Sequence, residues 1–221
     1  MSVSGPVPPG KVFVRTMTLD AIQYPYAVYV PTTYDSTVAL PSLLLVHGAG
    51  GDGLSFIGNW ISYAEANRIL LVAPTLDLSA NAETRVPIVF PALMDAVKKE
   101  WNVDPARRYL FGYSAGGYFV YDAALLNSDY FAAAAVFAAV IQPEYDGIAS
   151  QATRKTGIAI YLGDHDPYFT LQQGRRTRDL LISNGIDVRY VELADQDHDY
   201  SAVSATVNDD AWRFMIAHSL R

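Results

Sequence analysis

The stretch Tyr109-Leu110-Phe111-Gly112-Tyr113-Ser114-Ala115-Gly116-Gly117 decides how this chain is read. An apolar run suited to a buried strand enters G-x-S-x-G and continues into Ala115 to Asn127, which reads as a helix. A strand that turns so sharply into a helix strains the serine at the corner and lifts its hydroxyl above the sheet. Small residues two before and two after the serine let strand and helix pass without Cβ clashes. The helix start also brings positive dipole charge and unpaired N–H groups beside the hydroxyl. Ser114 is the candidate nucleophile.

Working outward, strand and helix signals alternate. Val12 to Leu19 and Tyr26 to Val30 read as an opening antiparallel pair. Ser42 to His47, Ile69 to Ala73, Arg108 to Tyr113, Ala132 to Ala138, Ile158 to Leu162 and Asp187 to Glu192 read as further strands. Helices are predicted over Gly53 to Asn67, Val89 to Trp101 with a kink at Pro91, Leu171 to Ser183, and Asn208 to Ser219 with Asn208 as N-cap. From Ser42 onward the β-α-β-α order implies an α/β fold, a mainly parallel sheet with helices on both faces. The connection between the strands ending at Ala138 and starting at Ile158 is too short for a cap domain.

A serine hydroxyl attacks only when a neighbouring imidazole takes its proton, so a base and an orienting acid are needed. His198 lies in the polar loop Ala194 to Tyr200, after the last strand, from which it can reach back over the serine; His165 is the alternative base. His218, in the last helix, reads as a surface residue. The acid is expected between serine and base. Asp164 and Asp166 follow the strand Ile158 to Leu162, and Asp166, deeper in the loop and ahead of Pro167, is preferred. Asp195, Asp197 and Asp199 read as a solvated acidic loop. On the opposite flank, His47-Gly48-Ala49-Gly50-Gly51 follows an apolar strand, and a glycine-rich turn there can aim bare N–H groups at a developing oxyanion. Ala49 and Ala115 are the expected donors, with His47 bracing the loop.

The bulk properties agree with a single folded unit. The chain has 221 residues, 51% hydrophobic and 18% charged. Residues 1–10, containing G-P-V-P-P-G, read as a linker, and 11–221 as one catalytic domain. The formal charge of −7 disfavours nucleic acid and anionic membrane surfaces as partners. The longest apolar run, Phe131 to Ile141, has 11 residues, against the roughly 20 a membrane span requires. With no cysteine, disulfides and thiol chemistry are excluded. No signal peptide is visible, and compartment and oligomeric state are left open.

With L-L-V-H-G-A-G-G at Leu44 to Gly51, G-Y-S-A-G-G at Gly112 to Gly117, G-D-H-D-P at Gly163 to Pro167 and D-H-D-Y at Asp197 to Tyr200, the chain resembles the α/β-hydrolase superfamily. Within it, the chain is most similar to lid-less esterases of the polyhydroxybutyrate-depolymerase-like and feruloyl-esterase-like group. The resemblance implies nucleophile Ser114, acid Asp166, base His198, oxyanion donors Ala49 and Ala115, and neither metal nor organic cofactor. It implies a carboxylesterase acting on small-molecule or polymer-borne esters. A peptidase on the same fold and a non-catalytic binding module are the alternatives. Tyr113, Tyr168 and Tyr200, with Tyr118 and Phe169, flank the motifs and are expected to form an aromatic substrate wall.

Overall fold

The computed structural model describes residues 8–77 and 85–220. Eight strands form one sheet: β1 (Val12–Leu19), β2 (Ile22–Tyr29), β3 (Leu40–Val46), β4 (Leu70–Pro74), β5 (Val103–Tyr113), β6 (Ala133–Phe137), β7 (Gly157–Gly163) and β8 (Val188–Leu193). Their spatial order is β1-β2-β4-β3-β5-β6-β7-β8. β1 and β2 are antiparallel to each other, β2 is antiparallel to β4, and all later neighbours are parallel. Of the linker-like residues, 1–7 lie outside the described part, while Gly10 donates its N–H to Val30 at 2.8 Å and is tied to the sheet.

The helices are α1 (Gly53–Phe56), α2 (Gly58–Asn67), α3 (Val86–Lys98), α4 (Ala115–Leu126), α5 (Leu171–Ser183) and α6 (Ser204–Ile216). Strand side chains alternate between two cores. Leu44 and Val46 of β3 join the cluster under α3, α4 and α5, while Leu43 and Leu45 join the one under α1, α2 and α6. This alternation explains why the central strands read as unbroken apolar runs: both faces are covered. The connection after β6 carries one 3-10 helix (Pro143–Gln151), and no cap domain is built there. No helix among the described residues is long and apolar enough to cross a membrane.

Three of the expected helices shift. The helix expected over Gly53 to Asn67 is interrupted at Ile57, where Trp60 N–H bonds the Ile57 carbonyl three residues back and tightens the turn. α3 starts at Val86 rather than Val89, because Pro87 suits a first turn whose N–H groups have no partner within the helix. α6 starts four residues before Asn208, so Asn208 is not its N-cap. Its buried face runs Val207, Ala211, Trp212 and Met215, and Asn208 lies on that face because its amide finds tertiary partners. It donates to Asn59 O at 2.8 Å and accepts the Tyr200 hydroxyl.

Tyr29 and Tyr63 link the stability of this fold to alkaline pH. Burial, reinforced by the Glu65 carboxylate, pushes Tyr29 up to about 12. Burial, with a 3.1 Å bond to Asp209, pushes Tyr63 to about 12 as well. The unfolded chain releases these protons near pH ~10, so the folded form binds more protons above that value. Their stabilisation is complete below pH ~10 and is lost as pH rises through ~12. Denaturant midpoints should fall across that window, in step with tyrosinate absorbance; a constant midpoint there would contradict this.

Candidate active site

β5 ends at Tyr113 and α4 begins at Ala115, leaving Ser114 at the corner with φ 52° and ψ −122°. A positive φ is uncommon outside glycine, and it persists only where the surroundings enforce it. Here Ser114 N–H donates to Phe137 O at 2.9 Å, and Gly117 N–H to Ser114 O at 2.8 Å. The flanking glycines allow the approach. A Cβ on Gly116 would lie 2.4 Å from both the Val46 and His47 carbonyl oxygens, and one on Gly112 would lie 2.6 Å from Gly116 O.

The corner presents Ser114 Oγ to His198. Nε2 of His198 is 2.8 Å from Ser114 Oγ, across 84 residues of chain. Nδ1 is 2.7 Å from Asp166 Oδ2. A carboxylate only accepts, so Nδ1 carries the proton and Nε2 is free to accept from the serine. The Asp166 side chain is fully buried, and its Oδ1 accepts N–H groups from Tyr168 at 2.8 Å and Phe169 at 3.0 Å. Two backbone donors thus hold one oxygen while the other orients the imidazole.

The alternatives are placed elsewhere. Asp164 Oδ1 accepts the Gln196 N–H at 3.3 Å, and the exposed His165 donates its backbone N–H to Gln196 O at 2.9 Å. Both tie the loop after β7 to the loop after β8. His218 is not a free surface group: its ring packs over Gly157, and Nε2 is 3.1 Å from Asp187. The acidic loop is more organised than its composition suggests. Asp197 Oδ1 accepts Asp199 N–H and Asp199 Oδ1 accepts Ser201 N–H, each at 2.8 Å. Gln196 carried no signal in the sequence. It is buried, and its amide donates to the Asp199 carbonyl at 2.8 Å and the Asp197 carbonyl at 3.2 Å, folding the backbone around His198.

On the opposite flank, Gly48 to Gly51 form a turn closed by a 3.1 Å bond, with Gly50 at φ 71° where a type II turn needs a left-handed residue. His47 is buried behind it. Leu76 N–H donates to its Nε2 at 3.1 Å, so Nδ1 bears the proton and donates to Gly48 O at 2.8 Å. It braces the turn. Ala49 and Ala115 line the same cleft as Ser114 and His198, together with Tyr113, Tyr118, Tyr168 and Phe169. The cleft encloses about 370 Å³. Tyr168 is 70% exposed and meets the His198 ring edge-on at 4.7 Å.

Tyr200 is a correction to the expected substrate wall. It is buried, packed among Phe56, Phe111, Tyr113 and Phe137, with its hydroxyl on Asn208. His198, two residues earlier in the loop, lines the cleft instead. Tyr200→Phe would strand the Asn208 carbonyl oxygen without its donor, so it should lower unfolding free energy by about 1–3 kcal/mol. Urea unfolding measures this, and KM for a small ester should stay within about twofold, the scatter of a residue outside the cleft. A raised KM without destabilisation would return Tyr200 to the wall.

Among the described residues, no group of three His, Asp or Glu side chains is placed to hold a metal ion. The fold and the Ser-His-Asp geometry together define the serine-hydrolase class on an α/β-hydrolase scaffold. The chain belongs to the dienelactone hydrolase family, whose profile matches residues 26–216. It is 32% identical over 142 residues to a bifunctional acetylxylan esterase/xylanase of Neocallimastix patriciarum, a match covering 60% of this chain and 20% of that protein. It superposes on a thermostable esterase with TM-score 0.73 and 19% identity, over 94% of this chain and 63% of the other. It also superposes on the fluorophosphonate-binding serine hydrolase FphF of Staphylococcus aureus, with TM-score 0.78 and 17% identity, over 94% and 99% of the two chains. At such identities the two structures establish the shared fold.

Proposed function

We propose that this chain is a serine carboxylesterase that works through an acyl-enzyme on Ser114. One observation carries the reading: the unbroken hydrogen-bond chain from Ser114 Oγ through His198 to buried Asp166. Ser114 Oγ attacks the ester carbonyl carbon while its proton passes to His198 Nε2. The carbonyl oxygen takes the negative charge beside the N–H groups of Ala49 and Ala115. The C–O bond to the alcohol then breaks, and the alcohol leaves with the proton from Nε2. Water, deprotonated by the same nitrogen, attacks the acyl-enzyme, releasing the acid and restoring the serine. Asp166 keeps Nδ1 protonated and stabilises the imidazolium formed in each half. No step calls on a metal or organic cofactor.

The cleft is open, since the connection after β6 builds no cap, and this supports ester groups carried by either small molecules or polymers. The acetylxylan esterase activity in the name of the fungal relative supports the polymer-borne case. Hydrolysis of p-nitrophenyl acetate, butyrate and decanoate tests the reading, together with labelling by a fluorophosphonate. Turnover with label mapped to Ser114 is the expected result. Absence of both turnover and label would overturn the esterase and favour a binding module.

A further inference from the structure

A second depression adjoins the catalytic cleft and shares Tyr118 with it. It is lined by Tyr118, Tyr121, Asp122, Ile141, Gln142, Tyr145 and Ile148. Tyr118 and Asp122 are one turn apart on α4 and so share a face, while Tyr145 comes from the 3-10 helix after β6. An aromatic path joins it to the base. The Phe169 ring lies 6.0 Å from His198 and meets Tyr118 edge-on at 6.3 Å. Gln142 Nε2 then sits 3.4 Å from the Tyr118 hydroxyl.

The chemistry assigns an occupant. In the proposed esterase, on which this inference rests, the leaving oxygen must reach His198 Nε2, so the alcohol half extends from the histidine side of the cleft. The path from His198 through Phe169 and Tyr118 therefore leads to the depression. Its volume is about 40 Å³, room for ring substituents rather than for a ring. Its lining includes the Asp122 carboxylate, the Gln142 amide and the hydroxyls of Tyr118 and Tyr145, groups of the kind that pair with adjacent hydroxyls, while the buried Tyr121 hydroxyl is committed to Ala139 O at 3.2 Å. Tyr145, 52% exposed at the rim, offers a flat apolar face on which a ring can lie. Few polar groups set among apolar walls is the usual composition of a small-molecule site.

We propose that the Tyr118, Asp122, Gln142 and Tyr145 depression is a saccharide subsite that holds the sugar bearing the ester. The ring lies across Tyr145, with its hydroxyls on Asp122 and Gln142. The subsite is read by binding alone, separately from hydrolysis. Xylotriose is titrated into the Ser114→Ala protein by NMR, beside benzyl alcohol as a non-sugar control. Saturable xylotriose binding is expected, weakened at least about tenfold by Tyr145→Ala and by Asp122→Asn, the change that losing one good contact produces. Tyr145 is a rim residue, so its removal leaves the core intact, and a thermal melt confirms folding of both variants. No xylotriose binding, binding equal in all three proteins, or binding of benzyl alcohol alone would overturn the subsite, even where p-nitrophenyl acetate is hydrolysed. Sugar binding without ester turnover in the parent protein would overturn the esterase, and with it the ester-bearing role assigned to the bound sugar.

Discussion

Replacing Ser114 by alanine should lower kcat/KM for p-nitrophenyl acetate by at least about 10⁴-fold. The effect is confined to chemistry. Alanine keeps the Cβ, donates the same N–H to Phe137 O and accepts the same N–H from Gly117, so the corner at φ 52° keeps its supports. The lost hydroxyl faces a cleft that water enters, and water can bond His198 Nε2 in its place. The residual rate would then come from that water, activated by the same base, with the N–H groups of Ala49 and Ala115 still in place. Matched thermal melts and steady-state kinetics on both proteins measure the change. A variant within about tenfold of the parent would place hydrolysis at another site, because losing a true nucleophile removes far more than that.

Asp166→Asn should be nearly as damaging, about 10⁴-fold in kcat, with little effect on KM or stability. The hydrogen bonds explain why so small a change matters. Oδ1 accepts two backbone N–H groups, and no amide nitrogen can replace it there. The asparagine carbonyl must occupy that position, which turns the NH₂ toward His198 Nδ1. Facing a donor, Nδ1 becomes an acceptor, and the imidazole proton moves to Nε2, where it points at Ser114 Oγ. The base is then in the wrong tautomer although every heavy atom stays in place. NMR of the imidazole N–H protons would display the exchange directly. An active variant with its proton still on Nδ1 would refute this account.

Much of this architecture could be read from local chemistry. G-Y-S-A-G-G carries its own geometry, since Gly112 and Gly116 are required by carbonyl oxygens 2.4 to 2.6 Å from where side chains would start, and Gly117 by the Ala139 Cβ at 2.6 Å. The helix expected over Leu171 to Ser183 has those bounds, and a reciprocal cap between Thr170 and Gln173 fixes its start. Asp166 and His198 were legible by order along the chain and by position after strands. What escaped depended on partners distant in sequence. Asn208 has the chemistry of a cap, and its burial is understood only once Tyr200 and Asn59 converge on it. Tyr200, two residues from His198, looked like cleft wall, yet its ring points into the core. Gln196 is one polar residue among several in its loop, and its carbonyl partners exist only when that loop is folded. Arg108 to Tyr113 was read short because the register shift between Leu40 and Ser42 opposes Val103 to Arg108 and hides the start of β5.

The serine follows β5, in the interior of the sheet, whereas the histidine follows β8, an edge strand paired with β7. Two of the six β8 residues are exposed and the other four half-buried, whereas β3, β6 and β7 are buried throughout. Edges of this kind open and close as small cooperative units at a lower free energy than the whole domain. Amide exchange along β8 should therefore outpace that along β3, β6 and β7. The loop that carries His198 follows that edge and should share its lower local stability, whereas Ser114 follows an interior strand.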